Sequence, residues 1–314
     1  MKKILITGGA GNIGASLFNK LIKNKSYFIY VLDNFSTGRK VNLNLRGEDN
    51  FQIFNSDVNN FNELKKIFQN NSFNYIFHYA ATVGVQRTQN NPLQVLKDIE
   101  GIKNILNLTL DKDIERIFFS SSSEVYGESF ETPQNELTTP LNSRIPYAIV
   151  KNVSEAFLKS YNKVYGTKYT ILRFFNTYGP LQNEEFVISK FVKQALNNEN
   201  LTIYGDGKQT RSFLYIDDNI DFTIKLLENN LLINETVNVG SDIEISIIEL
   251  SKKIINIIDS DSEIIFSPPL PDGDMLKRLP DISKMKKNYG NELIELDEGL
   301  RKVIKNLKID GQNN

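Results

Sequence analysis

Tyr147 and Lys151 stand four residues apart in the run Tyr147-Ala148-Ile149-Val150-Lys151. On a helix this spacing puts a phenol and an ammonium on one face. A lysine charge lowers the pKa of a neighbouring tyrosine and brings phenolate within reach near neutral pH. The pair can therefore move a proton at an alcohol or sugar carbon. Upstream, an apolar run closes with Ser120-Ser121-Ser122-Ser123-Glu124. A hydroxyl from that stretch, Ser122 or Ser123, can hold the substrate oxygen that loses its proton to Tyr147. Arg144 precedes Tyr147 closely enough to pair with a substrate carboxylate; a solvated loop arginine is the alternative.

A second constellation lies near the start of the chain. Gly8-Gly9-Ala10-Gly11-Asn12-Ile13-Gly14 directly follows the apolar run Ile4-Leu5-Ile6 and opens a predicted helix. Glycines Gly8, Gly11 and Gly14 in that context permit a tight turn, close approach of a pyrophosphate and helix–sheet packing. The helix N-terminus supplies amides and the positive end of a dipole. The strand predicted at 28–33 ends in Asp33, whose carboxylate can bind ribose hydroxyls and repel a 2′-phosphate, favouring NAD over NADP. Asp57, followed by Val58, closes the next strand and could meet the adenine amine; a plain strand-end aspartate is the alternative. A nicotinamide cofactor and a proton-transfer group are expected to share one site.

The elements that must position these groups alternate. Short apolar strands are predicted at 3–7, 28–33, 51–55, 75–79, 116–121 and 170–174, with helices at 13–23, 61–68, 92–108 and 147–165. This order predicts an α/β fold with a Rossmann-type doubly wound parallel sheet, ligands lying beyond the carboxyl ends of the strands. After Asn176 the pattern changes. Gly179-Pro180, Gly205-Asp206-Gly207, Pro268-Pro269 and Pro271-Asp272-Gly273 punctuate shorter elements. The expected division is a NAD-binding domain over 1–175, with about 213–240 returning to it, and a smaller α/β substrate lobe over 176–212 and 241–314.

Composition narrows the class. The 314 residues can bury a large core, and 37 basic against 38 acidic residues leave a net charge of −1. No basic stripe stands out, which disfavours nucleic acid. Without cysteine there is no disulfide and no cysteine-ligated metal, and a single histidine excludes a His-rich metal site. The apolar run after Met1-Lys2-Lys3 stops at glycines, unlike a signal peptide. No segment is long and apolar enough to span a bilayer, so a cytoplasmic protein is expected.

Together the motifs resemble the extended short-chain dehydrogenase/reductase family, specifically its NAD-dependent nucleotide-sugar epimerases, dehydratases and decarboxylases. The resemblance covers nearly the whole length. It includes Thr7-Gly8-Gly9-Ala10-Gly11-Asn12-Ile13-Gly14, Asp33-Asn34-Phe35-Ser36-Thr37-Gly38, His78-Tyr79-Ala80-Ala81, Ser122-Ser123-Glu124-Val125-Tyr126-Gly127 and Tyr147 with Lys151. It continues through Arg173-Phe174-Phe175-Asn176-Thr177-Tyr178-Gly179-Pro180, Tyr204-Gly205-Asp206-Gly207-Lys208-Gln209-Thr210-Arg211, Asn238-Val239-Gly240 and Arg278-Leu279-Pro280-Asp281-Ile282.

The resemblance implies that Ser122, Tyr147 and Lys151 form the catalytic triad. It places Asn34, Ser36 and Thr37, with Gly38 in the same loop, at the adenosine ribose, and Ala80 and Ala81 against the cofactor. Asn176, Arg211 and Arg278 would hold the diphosphate of a UDP-sugar, as charge-assisted donors suit; a surface ion pair is the alternative for each arginine. Val187 and Tyr204 would join the substrate contacts, the run 201–204 walling the base. His78 is expected to be a packed structural residue. The chain departs from the family at Lys97-Asp98-Ile99-Glu100-Gly101-Ile102, where Asn-x-x-Gly-Thr is common, and at Val83, a lysine in some 4-epimerases. Both changes bear on local cofactor contacts.

The shared first step in this family is hydride transfer from C4 of the sugar. Epimerisation, 4,6-dehydration or loss of a C6 carboxylate can follow. Glu124 matches the C5 base of the dehydratases, but Ser123 stands where their acid commonly precedes it, while decarboxylases also have Ser-Glu here. The stretch around Tyr147 resembles epimerases and the motifs from Leu201 onward resemble decarboxylases. The balance favours a UDP-sugar 4-epimerase. A sugar-ketone reductase, disfavoured by Asp33, and a non-catalytic NAD-binding protein are the other classes. A homodimer is expected, because Val150, Val153, Phe157, Tyr161 and Val164 add an apolar stripe beyond what one sheet contact needs.

Overall fold

Ile4, Leu5 and Ile6 are all fully buried in β1 (Lys2–Thr7). A strand covered by helices on both sheet faces must be apolar on both. The computed structural model describes residues 1–128, 130–269 and 277–312. After β1 come α1 (Asn12–Leu21), β2 (Tyr27–Asp33), β3 (Phe51–Asn55), α2 (Phe61–Asn70) and β4 (Tyr75–His78). Three helices follow, α3 (Val85–Asn90), α4 (Pro92–Leu96) and α5 (Asp98–Thr109), then β5 (Arg116–Ser122), a 3-10 turn over Ser123–Tyr126, α6 (Pro146–Tyr165) and β6 (Tyr169–Phe174).

The remaining chain forms β7 (Thr177–Tyr178), α7 (Val187–Leu196), β8 (Leu201–Tyr204), β9 (Thr210–Ser212), β10 (Leu214–Tyr215), α8 (Ile216–Glu228) and β11 (Glu235–Val239). It closes with β12 (Glu244–Ser246), α9 (Ile247–Ile258), β13 (Ile264–Ser267), α10 (Ser283–Tyr289) and α11 (Leu296–Gln312). The expected turn at Pro271-Asp272-Gly273 lies outside the described residues.

Seven strands form the main sheet in the order β3-β2-β1-β4-β5-β6-β11. Every pairing from β3 to β6 is parallel. This is the doubly wound order of the Rossmann fold, whose chain reverses direction of travel between β1 and β4. Alternate strand residues face one core: Leu5, Ile76, Ile117 and Phe119 pack with Leu64 of α2, Ile102 of α5 and Leu158 of α6. Arg116, within β5, is also buried. Its guanidinium donates to the carbonyls of Leu226 and Leu231 at 3.1 and 2.7 Å, a good use of a cation at a helix C-terminus.

Two compact units divide the chain. The first comprises Met1–Gly127, Leu141–Phe174 and Ile220–Val237; the second comprises Glu128–Pro140, Phe175–Asn219 and Asn238–Asn314. Residues 128–140 belong to the second because Gln134 takes a backbone bond to Leu279 (2.8 Å) and returns one from Asp281 (2.8 Å). That unit contains three two-stranded pairs among its described residues: β10 with β7, β12 with β9 and β13 with β8.

One expected helix, 92–108, is two helices in the structure, preceded by the short α3. The backbone tightens at Lys97, whose N–H reaches Gln94 O at 3.2 Å while Glu100 N reaches Lys97 O at 2.9 Å. These are i to i−3 bonds, the tighter 3-10 pattern, and α5 restarts at Asp98.

Candidate active site

Gly8 directly follows β1, at the point where the sheet reverses. Its φ is +66°, and a Cβ there would lie 2.6 Å from Ala80 N. Only glycine fits both the left-handed backbone and the close approach of the segment after β4. Gly11 is different. A Cβ at Gly11 would meet only Gly8 O, at 3.4 Å, so its face looks into open space. Asn12, the first residue of α1, keeps a buried Oδ1 with no protein donor. An open backbone face and an orphaned acceptor at a helix N-terminus fit a dinucleotide. Ile13 follows in the same helical turn, and a Cβ at Gly14 would lie 2.3 Å from Gly8 O, so this glycine keeps helix and loop together.

Asp33, buried at the end of β2, accepts from Ala10 N (2.9 Å) and Phe35 N (2.8 Å). Its carboxylate thus ties the glycine loop to the next loop, and each oxygen keeps a lone pair for a ribose hydroxyl. In that loop Asn34 Oδ1 accepts Ser36 N at 3.0 Å, Thr37 is exposed, and Gly38 packs against Ala10 and Asp33. Asp57 accepts Asn59 N (2.9 Å) and Asn34 Nδ2 (3.4 Å). Val58 buries its side chain in the core.

After β4, Ala80 N donates to Thr7 Oγ1 at 3.3 Å and Ala81 follows, half-buried. His78 is buried with Nδ1 2.8 Å from Thr7 Oγ1. Burial first, and then the Lys151 charge, push its pKa down to about 3, so the ring is neutral at working pH.

The serine run divides its labour. Ser120 Oγ donates to His78 O (3.2 Å) and Ser121 Oγ to Glu155 Oε1 (2.6 Å). Ser122 Oγ instead accepts Glu124 N (3.2 Å), capping the 3-10 turn. Acceptance leaves the Ser122 hydroxyl proton for another oxygen. Ser123 is buried within the same turn, where Glu124 is half-buried.

On α6 the Lys151 ammonium donates to Ser120 O at 2.5 Å and lies 5.7 Å from the Tyr147 ring centroid. Burial pushes the Lys151 pKa down to about 8, against the opposing charge of Asp98. Arg144, in the loop before α6, is exposed.

One residue of this site, Glu155, lies outside the motifs and joins two that lie within them. Glu155, one turn beyond Lys151, forms a buried two-point ion pair with Arg173 of β6: Nε to Oε1 at 2.9 Å and Nη2 to Oε2 at 2.7 Å. Arg173 Nη1 also donates to Tyr126 OH at 2.8 Å. Burial raises the Glu155 pKa, but the Arg173 bonds and charge, Ser121 and Lys159 outweigh it, and the net direction is down. An arginine inside an apolar strand was the available signal, since such a cation needs a buried partner.

The second unit holds the other predicted residues. Asn176 Nδ2 donates to Ser212 O at 3.1 Å, beside Arg211 of β9. Arg211 is buried and donates to Thr210 O at 2.7 Å. Arg278 is buried too. Val187 opens α7, and Tyr204 at the end of β8 lies under the Lys190 ammonium, 5.0 Å from the ring centroid. Among the described residues no cluster of three or more His, Cys, Asp or Glu could hold a metal, and no helix is long and apolar enough to cross a membrane.

Comparison with known proteins agrees with this architecture. A family model described as the NAD dependent epimerase/dehydratase family matches residues 4–240. A putative UDP-glucose 4-epimerase of Methanocaldococcus jannaschii is 36% identical over 310 residues, covering 97% of this chain and 98% of the relative. UDP-glucuronic acid decarboxylase 1 of Xenopus tropicalis is 36% identical over 312 residues, 96% of this chain and 71% of the relative. Among solved structures, UDP-glucose 4-epimerase of Thermotoga maritima with UDP-glucose superposes with a TM-score of 0.92 at 32% identity, over 98% of this chain and 99% of that one.

Proposed function

This chain belongs to the NAD dependent epimerase/dehydratase family, and from that premise we propose that it is a UDP-sugar 4-epimerase working through a transient 4-keto sugar. The observation that carries the reading is the free donor of Ser122 on the same unit as Tyr147 and Lys151. Gly8, Gly11, Asn12, Ile13 and Gly14 would hold the NAD pyrophosphate, with Asp33, Asn34, Ser36, Thr37 and Gly38 at the adenosine ribose. Asp57 and Val58 would border the adenine, and Ala80, Ala81, Tyr147 and Lys151 the nicotinamide half. Bound NAD supplies a hydride acceptor at C4 that later returns the hydride.

Ser122 donates its remaining proton to the C4 oxygen and orients it. Tyr147 takes the proton from that oxygen as the carbonyl forms and gives it back on the return step. The Lys151 ammonium stabilises negative charge on the phenol oxygen, an effect made stronger by its burial. Asn176, Arg211 and Arg278 would bind the diphosphate, with Val187 and Tyr204 against the remaining nucleotide and sugar. Ser123 and Arg144 complete the substrate set. An NDP-sugar 4,6-dehydratase on the same scaffold stays an alternative, since some GDP-sugar dehydratases resemble this chain in carrying Ser-Glu at Ser123 and Glu124.

UDP-glucuronate decarboxylation is the second reading, and Glu124 in the turn capped by Ser122 favours it. Purified protein incubated with UDP-glucose, UDP-N-acetylglucosamine, UDP-glucuronate and GDP-mannose tests both readings by mass spectrometry. An isomer of unchanged mass supports epimerisation; loss of carbon dioxide or water rejects it.

A homodimer through α4, α5 and α6 belongs to the same proposal. Leu93 of α4 and Val164 of α6 are 77% and 67% exposed, while Phe157 and Tyr161 of α6 are half-buried against the core. Sedimentation at micromolar concentration should give twice the chain mass, and a monomer would refute the pairing.

A further inference from the structure

Asp98 is the first residue of α5, where the helix dipole favours a carboxylate. It makes two contacts that reach across the cofactor crest of the first unit. Oδ2 accepts Thr82 N at 2.6 Å, and Oδ1 accepts Asn59 Nδ2 at 3.2 Å. Asn59 N in turn donates to Asp57, whose other oxygen accepts Asn34 Nδ2. A continuous polar chain, Asn34–Asp57–Asn59–Asp98–Thr82, therefore runs across the carboxyl ends of β2, β3 and β4. Its two ends are the loop after Asp33 and the strip Ala80–Ala81–Thr82. A charged acceptor on a backbone N–H makes the last link a strong one.

Lys151 lies on the other side of the same site. Its neighbours are Tyr147 on α6, neutral His78 on β4, and Phe119 and Ser120 on β5. Glu155, one turn along the same helix, is bound to Arg173 and Ser121, and the Asp98 charge opposes the burial that lowers the Lys151 pKa.

We propose that Asp98 is a positioning residue of the cofactor site: its carboxylate fixes the Ala80–Thr82 strip by accepting Thr82 N and ties that strip to Asn59 beyond β3. The inference rests on the proposed NAD site. It is independent of which sugar reaction follows.

Asp98→Asn keeps an acceptor for Thr82 N and removes the charge, whereas Asp98→Ala removes both. Equilibrium dialysis of each protein against NAD reads binding without turnover. Asp98→Asn should bind within about threefold of the parent, because its amide oxygen still accepts Thr82 N. Asp98→Ala should bind at least about tenfold more weakly, as loss of a charge-assisted bond predicts. Parent-like binding by Asp98→Ala, or an equal loss in both variants, would overturn the proposal. Should Asp98→Ala fail to fold, Asp98→Ser, whose hydroxyl is too short to reach Thr82 N, takes its place with the same expected loss. A different sugar product would refute the epimerase reading and leave these curves unchanged.

Discussion

Lys151 on α6 donates its ammonium to the backbone carbonyl oxygen of Ser120 on β5 at 2.5 Å. The contact fastens the helix that carries Tyr147 to the strand that ends in Ser122. A buried ammonium needs such an acceptor, and here the acceptor comes from the element that also carries Ser122, the proposed donor to the substrate oxygen. Positioning and charge stabilisation are served by one bond.

Tyr147→Phe should remove the proton acceptor while leaving the ring in place. We expect turnover to fall by about a hundredfold to ten-thousandfold, the usual contribution of general acid–base catalysis. NAD released by acid from purified protein should be unchanged per chain. Near-normal rates would remove Tyr147 from the mechanism.

Lys151→Met should abolish activity and stabilise the fold. Its pKa is about 8 in the folded protein and 10.5 ordinarily, so below pH 8 the charged ammonium must be desolvated on folding. The penalty is full there and fades between pH 8 and 10.5, as the folded form loses a proton that the unfolded form keeps. The gain at neutral pH should be about 1–3 kcal/mol, read by urea denaturation. A gain that grows with pH would contradict this sign.

Glu155→Gln leaves the Arg173 guanidinium buried with its partner's negative charge removed. Unfolding free energy should fall by about 3–5 kcal/mol. Glu155→Gln combined with Arg173→Met should lose less than the sum of the single changes, because the pair is coupled. Since the carboxyl pKa is held down, this stability is present above its ordinary value and is lost as pH falls through the lowered one. Additive losses in the cycle would show that the two side chains act separately.

Glu124→Gln separates the two reactions. An epimerase should tolerate it within about tenfold, because its mechanism asks no proton transfer of Glu124. A decarboxylase or dehydratase would lose about a hundredfold or more, as for a missing acid–base group. Steady-state rates with the best UDP-sugar decide.

Much of this site was legible because its signals are local. The glycine loop, Asp33 at a strand end and the Tyr147–Lys151 spacing each lie within one element or one turn. The Rossmann order followed from the alternation of strands and helices. The Glu155–Arg173–Tyr126 cluster was not legible, because it depends on which strands become neighbours. Glu155 did stand one turn beyond Lys151, and Arg173 did interrupt an apolar strand, but neither named the other as partner. The break at Lys97 was also hidden: residues 92–108 keep a helical pattern throughout, and only the 3-10 bonds around Lys97 divide them. The different fates of Ser120, Ser121 and Ser122 depend on three separate neighbours, which identical side chains do not reveal.

The most direct measurement follows a label at the reacting carbon. UDP-glucose, UDP-N-acetylglucosamine and UDP-glucuronate, each carrying deuterium at C4, are incubated with purified protein without added cofactor, and the products are analysed by mass spectrometry and proton NMR. The expected product is the C4 epimer of one of these UDP-sugars, of unchanged mass with the deuterium still at C4, as return of the same hydride requires. Loss of the deuterium to solvent, or no epimer from any of them while UDP-glucuronate loses carbon dioxide, would contradict the epimerase reading.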